Sequence, residues 1–169
     1  MLRFPRIVKP EGDSTEKYIV LHPGSRWMFK SMLIDQWEQL VRLIVERYQC
    51  RVVITGGSSQ KELTLGERLG ILPRAENRCG QTSIRELMSL VSNAWAFVGV
   101  DTFASHLAIG YERPGLVLFG PSDSTIWGPR HFDRLGVFKA SPSRFPCMPC
   151  GLDGCGGGKV SDCLRSLSA

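Results

Sequence analysis

Short apolar runs alternate with longer stretches in which apolar residues recur every three or four positions, and this alternation continues from Lys17 to Phe119. From Lys17 to His22 the run Tyr-Ile-Val-Leu reads as a strand buried on both faces, and Pro23, Gly24 and Ser25 stop it. Leu33, Trp37, Leu40, Val41, Ile44 and Tyr48 then mark one apolar face of a helix of about four turns. Arg51 to Thr55 repeats the strand pattern and ends in Gly56-Gly-Ser-Ser59, and Glu62 to Leu72 is helical in composition. Ser83-Ile-Arg-Glu86 is a capping box, with Ile84, Leu87, Met88 and Val91 as the expected buried stripe of a third helix. Trp95 to Val100 predicts a strand ending at Asp101, Thr102 to Gly110 a short helix, and Leu116 to Phe119 a strand ending in Gly120-Pro-Ser-Asp123. Strand and helix in alternation predict an α/β fold, a Rossmann-like parallel sheet flanked by helices. In such a fold, ligands bind outside the carboxyl ends of the strands.

The 169 residues suffice for one domain with a real core, and 43% hydrophobic with 22% charged residues is a globular composition. Residues 1–16 carry two prolines and a Gly-Asp-Ser-Thr cluster and read as an interdomain linker, 17–140 as the domain, and 141–169 as a Cys-rich segment. No apolar run approaches the roughly 20 residues that span a bilayer, and Met1 to Pro10 lacks the apolar core of a signal peptide, so a cytoplasmic location is expected. The net charge of +5 comes from scattered Lys and Arg. That fits attraction to phosphates or peripheral contact with an anionic inner-membrane surface, and it argues against a nucleic-acid partner.

Four loops follow the predicted strands and converge on one rim: His22-Pro-Gly-Ser-Arg26 with Lys30 beyond it, Thr55-Gly-Gly-Ser-Ser59, Asp101-Thr-Phe-Ala-Ser-His106 and Gly120-Pro-Ser-Asp-Ser124. Glycines and small hydroxyl residues there let backbone N–H groups approach an anion, and each following helix adds a favourable dipole. Arg26 and Lys30 supply positive charge for a diphosphate, or are two solvated surface cations. Asp101 stands where a strand meets a helix, as a ligand-binding carboxylate or as a helix N-cap. His106, four residues after Thr102, shares a face with it near the positive end of that helix, unless it is a packed core histidine. There is no G-x-G-x-x-G and no G-x-x-x-x-G-K-[ST], so ordinary NAD binding is unsupported and a P-loop is excluded.

Taken in order, His22-Pro-Gly-Ser-Arg26 with Lys30, Gly80-Gln-Thr-Ser-Ile-Arg-Glu-Leu87, Val100-Asp-Thr-Phe-Ala-Ser-His-Leu-Ala108 and Leu118-Phe-Gly-Pro-Ser-Asp123 resemble the ADP-heptose:lipopolysaccharide heptosyltransferases, glycosyltransferase family 9. The resemblance is to the C-terminal half of that family. It implies the donor-binding domain of an inverting GT-B glycosyltransferase that carries heptose from ADP-heptose to the lipopolysaccharide inner core. Carried over, Ser25 and Lys30 meet the donor phosphates, Asp101, Thr102 and His106 hold the diphosphate and heptose, and Thr82 with the Gly57 to Glu62 loop lies around the nucleoside. The family needs no metal or other cofactor, and its carboxylate base lies in an N-terminal acceptor domain, so no catalytic base is expected here and this chain alone should turn over little.

Phe103 departs from the small residue usual after the Asp-Thr pair, and either obstructs close backbone approach or packs inward. Cys147, Cys150, Cys155 and Cys163 resemble a C-x-P-C pattern with two further cysteines found in many heptosyltransferases. Four thiolates at such spacings are able to hold zinc, although the resemblance implies no metal. The alternatives to a heptosyltransferase half are a non-catalytic or remnant nucleotide-binding module and a GT-B enzyme using another nucleotide sugar.

Overall fold

The structure, a computed structural model, describes residues 17–130 and 134–168. The expected linker, 1–16, lies outside the described residues. Six strands, β1 (Tyr18–His22), β2 (Arg51–Ile54), β3 (Ala75–Asn77), β4 (Ala96–Val100), β5 (Gly115–Leu118) and β6 (Leu135–Phe138), form one sheet in the order β3-β2-β1-β4-β5-β6. All pairings are parallel. The α/β, Rossmann-like class expected from the alternation is therefore the one observed. The pleat sends neighbouring side chains to opposite faces. Ile19 and Leu21 of β1 with Val98 and Val100 of β4 enter one core, while Val20 with Phe97 enters the other. β4 and β5 approach each other so closely that a Cβ on Gly115, whose φ is +149°, would lie 1.8 Å from the Phe97 carbonyl oxygen. Only glycine fits there.

β3 and β6 had no signal in the apolar pattern. Ala-Glu-Asn and Leu-Gly-Val-Phe are short edge strands, and an edge strand is specified by its neighbour as much as by its own side chains.

Helices α1 (Ile34–Tyr48) and α2 (Gln60–Gly70) contact each other, as do α3 (Ile84–Asn93) and α4 (Phe103–Gly110). Trp37, Leu40, Val41 and Ile44 of α1 are buried, which is the expected face. In α3 the expected stripe is corrected. The capping box forms, with Glu86 N–H donating to Ser83 Oγ and Ser83 N–H to the Glu86 carboxylate, yet Ile84 is 66% exposed and Met88 36%. Val91 is buried and Leu87 and Leu90 pack partly against the core. A helix that precedes a parallel strand starts at the carboxyl edge of the sheet, so its first turn stands beyond the strand side chains that would cover Ile84.

The segment from 141 onward folds back on the same core. Cys163, Leu164 and Leu167, from the short helix Asp162–Arg165 and just after it, join the cluster around α1, with Phe145 and Met148 packed against it. Gly151 N–H donates to the Pro121 carbonyl at 2.9 Å, which brings this segment to the end of β5.

Candidate functional site

The strand order reverses between β1 and β4, each the start of a run outward to one edge, and the crevice outside their carboxyl ends is the topological switch point where such sheets bind ligands. The loop leaving β1 makes a one-turn 3-10 helix at Met28–Lys30. Ser31 Oγ fixes that turn by donating to the Pro23 carbonyl at 2.6 Å and accepting from the Trp37 indole N–H at 2.9 Å. Lys30 is thereby held over the end of β4, where its Nζ donates to Asp101 Oδ2 at 2.7 Å. Asp101 is buried, and its other oxygen lies 4.0 Å from His106 Nε2. Three residues from three segments thus meet at one point.

Asp101 does not cap the following helix. Thr102 is the N-cap of α4, with its N–H donating to Ser105 Oγ at 3.1 Å, so the Asp101 carboxylate stays with Lys30. His106 is 42% exposed and touches the Trp127 ring edge-on at 6.1 Å, which removes the core reading. The N-terminus of α4, where the helix dipole is positive, follows Asp101 directly in the chain. Phe103 is 55% exposed at the start of α4, so it does not pack inward.

A second cluster lies toward β2. Glu62, on the first turn of α2, is buried and accepts from Gly57 N–H at 2.9 Å and Ser59 Oγ at 2.6 Å. A Cβ on Gly24 would come within 2.9 Å of Glu62 Cγ, and one on Gly57 within 2.8 Å of its Oε2, so the carboxylate is wedged between two glycine backbones. Beside it, buried His22 places Nδ1 2.9 Å from Thr55 Oγ1. Burial depresses the His22 imidazole to a pKa of about 4, against a smaller opposing pull from Glu62. Burial, with Glu62 adding to it, pushes the nearby Cys79 thiol up to about 12.

Of the other expected site residues, Ser25 is buried, with its hydroxyl donating to the Trp27 carbonyl at 2.6 Å and accepting from Trp27 N–H at 3.0 Å, so it shapes the turn that presents Trp27. Arg26 is exposed on the same loop, and Thr82 is half-buried between β3 and α3. The sequence pattern did not single out Trp27 or Trp127, and it gave His22 only as the first residue of a candidate loop. The signal available for the two tryptophans was an aromatic residue outside any periodic stripe, shortly after a strand. Among the described residues no group of three or more His, Cys, Asp or Glu is placed to hold a metal ion. Cys147 and Cys155 are exposed, whereas Cys163 is buried, and burial above all pushes its thiol up, with Cys155, Cys150 and Cys147 adding to that.

Residues 6–150 match the profile of glycosyltransferase family 9 (heptosyltransferase). The chain belongs to glycosyltransferase family 9. Among curated members, it is 31% identical over 120 residues to lipopolysaccharide heptosyltransferase 3 of Escherichia coli K12, covering 68% of this chain and 34% of that one. It is 30% identical over 145 residues to lipopolysaccharide heptosyltransferase 1 of Pseudomonas aeruginosa, covering 83% of this chain and 38% of that one. The E. coli heptosyltransferase WaaC, solved with ADP, shares the fold with a TM-score of 0.66 at 23% identity, over 75% of this chain and 38% of that one. The same enzyme has been solved with ADP-2-deoxy-2-fluoro heptose. The family 9 chain described here therefore spans little more than a third of the length of these relatives. No helix among its described residues is long and apolar enough to cross a membrane.

Proposed function

We propose that this chain is the donor-binding half of a heptosyltransferase, holding ADP-heptose across the carboxyl ends of β2, β1 and β4. The observation that carries this reading is the convergence of Lys30, Asp101 and His106 at the switch point, beside the open N-terminus of α4. The diphosphate takes the Lys30 ammonium, the imidazole and the first N–H groups of α4; Arg26 adds a second cation from the same loop. Glu62 and Gly57, with Thr82 nearby, then border the nucleoside. As the glycosidic bond breaks, negative charge grows on the departing ADP, and donors already fixed around its phosphates favour that transition state over the bound donor.

In the full reaction the acceptor hydroxyl of the lipopolysaccharide core attacks with inversion, and the carboxylate that removes its proton comes from a second, acceptor-binding domain. Fixed near-attack geometry needs both walls of the cleft, so the present chain binds donor with little turnover. A cytoplasmic site of action, peripheral to the inner membrane, follows from the acceptor.

A second reading, a nucleotide-binding module without catalysis, is favoured by one observation: Phe103, the first residue of α4, is exposed where the resemblance expects a small residue. Calorimetric titration with ADP, UDP and ADP-heptose, repeated on Lys30→Ala and Asp101→Ala, decides between them. Selective ADP or ADP-heptose binding that both substitutions weaken in a folded chain supports the donor half. Folded protein that binds none of the three rejects it.

A further inference from the structure

We propose that the amino edge of the sheet, opposite the donor rim, docks on an anionic phospholipid surface through the cations Lys17, Arg47 and Arg74, with Ile71 and Leu43 as its apolar contacts. This surface deepens the peripheral location proposed above, on which it rests, and is independent of the donor site. The cavity of about 510 Å³ at the carboxyl rim, which Trp27, Lys30 and Trp127 help to line, belongs to the donor site and takes no part.

Chain direction puts the docking residues together. In a parallel sheet each connecting helix ends, and the strand after it starts, at the amino edge. Lys17 immediately precedes β1, Arg47 is in the last turn of α1, and Ile71 and Arg74 stand in the turn between α2 and β3. Hydrogen bonds join the segments: Arg51 N–H donates to the Lys17 carbonyl at 3.2 Å, and Arg74 Nη1 to the Gln49 carbonyl at 3.0 Å. Half-buried aromatic rings lie among the cations. Tyr48 and Trp95 meet edge to face with ring centres 5.6 Å apart, Lys17 Nζ lies 5.4 Å from the Trp95 ring centre, and the Arg47 guanidinium lies 5.9 Å from that of Tyr48. Burial above all pushes the Cys50 thiol up, and a backbone hydrogen bond, Arg74 and Lys17 oppose it, so both cations stand near that one turn.

Charge and exposure select the partner. Lys17, Arg47 and Arg74 are exposed, and none of them forms an ion pair among the described residues, whereas the neighbouring Arg51 is held by Glu76 at 2.9 Å. Of the carboxylates nearby, Glu76 is shared by Arg51 and Arg78, and Glu46 is exposed beside Arg47, so positive charge is in excess. Cations at the end of α1 also complement its dipole, but that role asks for no apolar contact. Ile71 is 81% exposed at the tip of its turn, and Leu43, 44% exposed, precedes Arg47 by four residues and so shares its helix face. A lone exposed aliphatic side chain is ordinary. Aliphatic tips flanked by cations and aromatic rings are the composition of a lipid-interface contact, in which the cations meet phosphate headgroups and the apolar side chains enter the acyl boundary. A free phosphate would use the cations and leave the apolar side chains idle. Docking at this edge leaves the carboxyl rim open.

The test is sedimentation of the full chain with vesicles of phosphatidylcholine alone and of an equal mixture with phosphatidylglycerol. Binding is expected to the mixed vesicles and not to the neutral ones, and it should weaken as salt is raised. Lys17→Ala combined with Arg47→Ala should lower the partition coefficient about 25-fold, at about fivefold per cation, and Ile71→Ser about fivefold. Arg85→Ala combined with Lys139→Ala removes the same charge from exposed positions at the carboxyl rim and should change it less than about twofold. Equal binding to neutral vesicles, no binding to either kind, or equal loss from the two pairs of substitutions overturns the inference. Inorganic phosphate that releases the protein far better than sodium chloride at the same ionic strength also overturns it, and points to a free-anion site. Should the Lys17 and Arg47 pair fail to fold in thermal unfolding, Lys17→Ala alone and Ile71→Ser carry the same comparison. Calorimetric titration of ADP into the same samples keeps the two sites apart: a chain that binds ADP but no vesicles loses this inference alone, and one that binds mixed vesicles but no ADP loses only the donor reading.

Discussion

The two clusters on the carboxyl rim differ in how far they are already satisfied. Around Glu62 every named polar group has its partner inside the protein: the buried carboxylate takes Gly57 N–H and Ser59 Oγ, and the buried His22 takes Thr55. Around Asp101 the arrangement is half open. Lys30 gives one of its three N–H donors to Asp101, and His106 reaches the same carboxylate only at 4.0 Å from a largely accessible position. The closed cluster holds the β1 and β2 loops in shape, and the open one can take a ligand without first breaking a buried bond. A rim needs both, because fixed donors work on a growing charge only when their own positions cost nothing to hold.

The largest expected effect concerns the closed cluster and is read in acid. The folded-state pKa of His22 is depressed to about 4 from an ordinary value near 6.5. An unfolded chain therefore binds a proton that the folded one refuses. The stability this contributes is present above pH 6.5 and is lost as pH falls from 6.5 toward 4, by about 3 kcal/mol. Urea unfolding at pH 7 and pH 4.5 measures it, and a His22→Gln variant should lose that part of the acid sensitivity. Equal pH dependence in parent and variant would show that His22 is not held neutral.

Next in size is the open cluster. Lys30→Ala should weaken ADP binding about 10- to 100-fold, the worth of one charge-assisted hydrogen bond of roughly 1.5–3 kcal/mol. Calorimetry at constant pH checks this, and an unchanged Kd would erase the functional contrast between the clusters.

A smaller effect separates the thiols by burial. Cys147 and Cys155 should be alkylated by iodoacetamide well before Cys79 and Cys163, since both latter thiols are buried and held protonated. Peptide mass mapping over a time course gives the order; early modification of Cys79 would mean that the Glu62 cluster opens readily. The smallest effect is at Ile84, whose side chain is exposed: Ile84→Ser should change stability by no more than about 0.5 kcal/mol in thermal unfolding.

The α3 stripe shows how far periodicity reaches. Ile84, Leu87, Met88 and Val91 share a helical face by spacing, but the sheet beneath ends before the first turn, and spacing carries no information on where a neighbour stops. The site divides the same way. Lys30, Asp101 and His106 were legible as candidates because each follows a strand in a loop of small residues. Trp27 and Trp127, exactly 100 positions apart in the chain, carried no joint signal until the fold set both beside one cavity.

The sequence by itself determined the alternation of strands and helices, the parallel sheet that follows from it, the capping box at Ser83 and the loops that carry the charged candidates. These are local matters, set by side-chain period and backbone preference within a few residues. Only the tertiary structure decided that β3 and β6 extend the sheet, that Asp101 pairs with Lys30 instead of capping α4, that Glu62 is wedged between Gly24 and Gly57, and that the Cys-rich segment closes one side of the cavity. Each joins residues distant in the chain, and their contact depends on packing and burial that no local window contains.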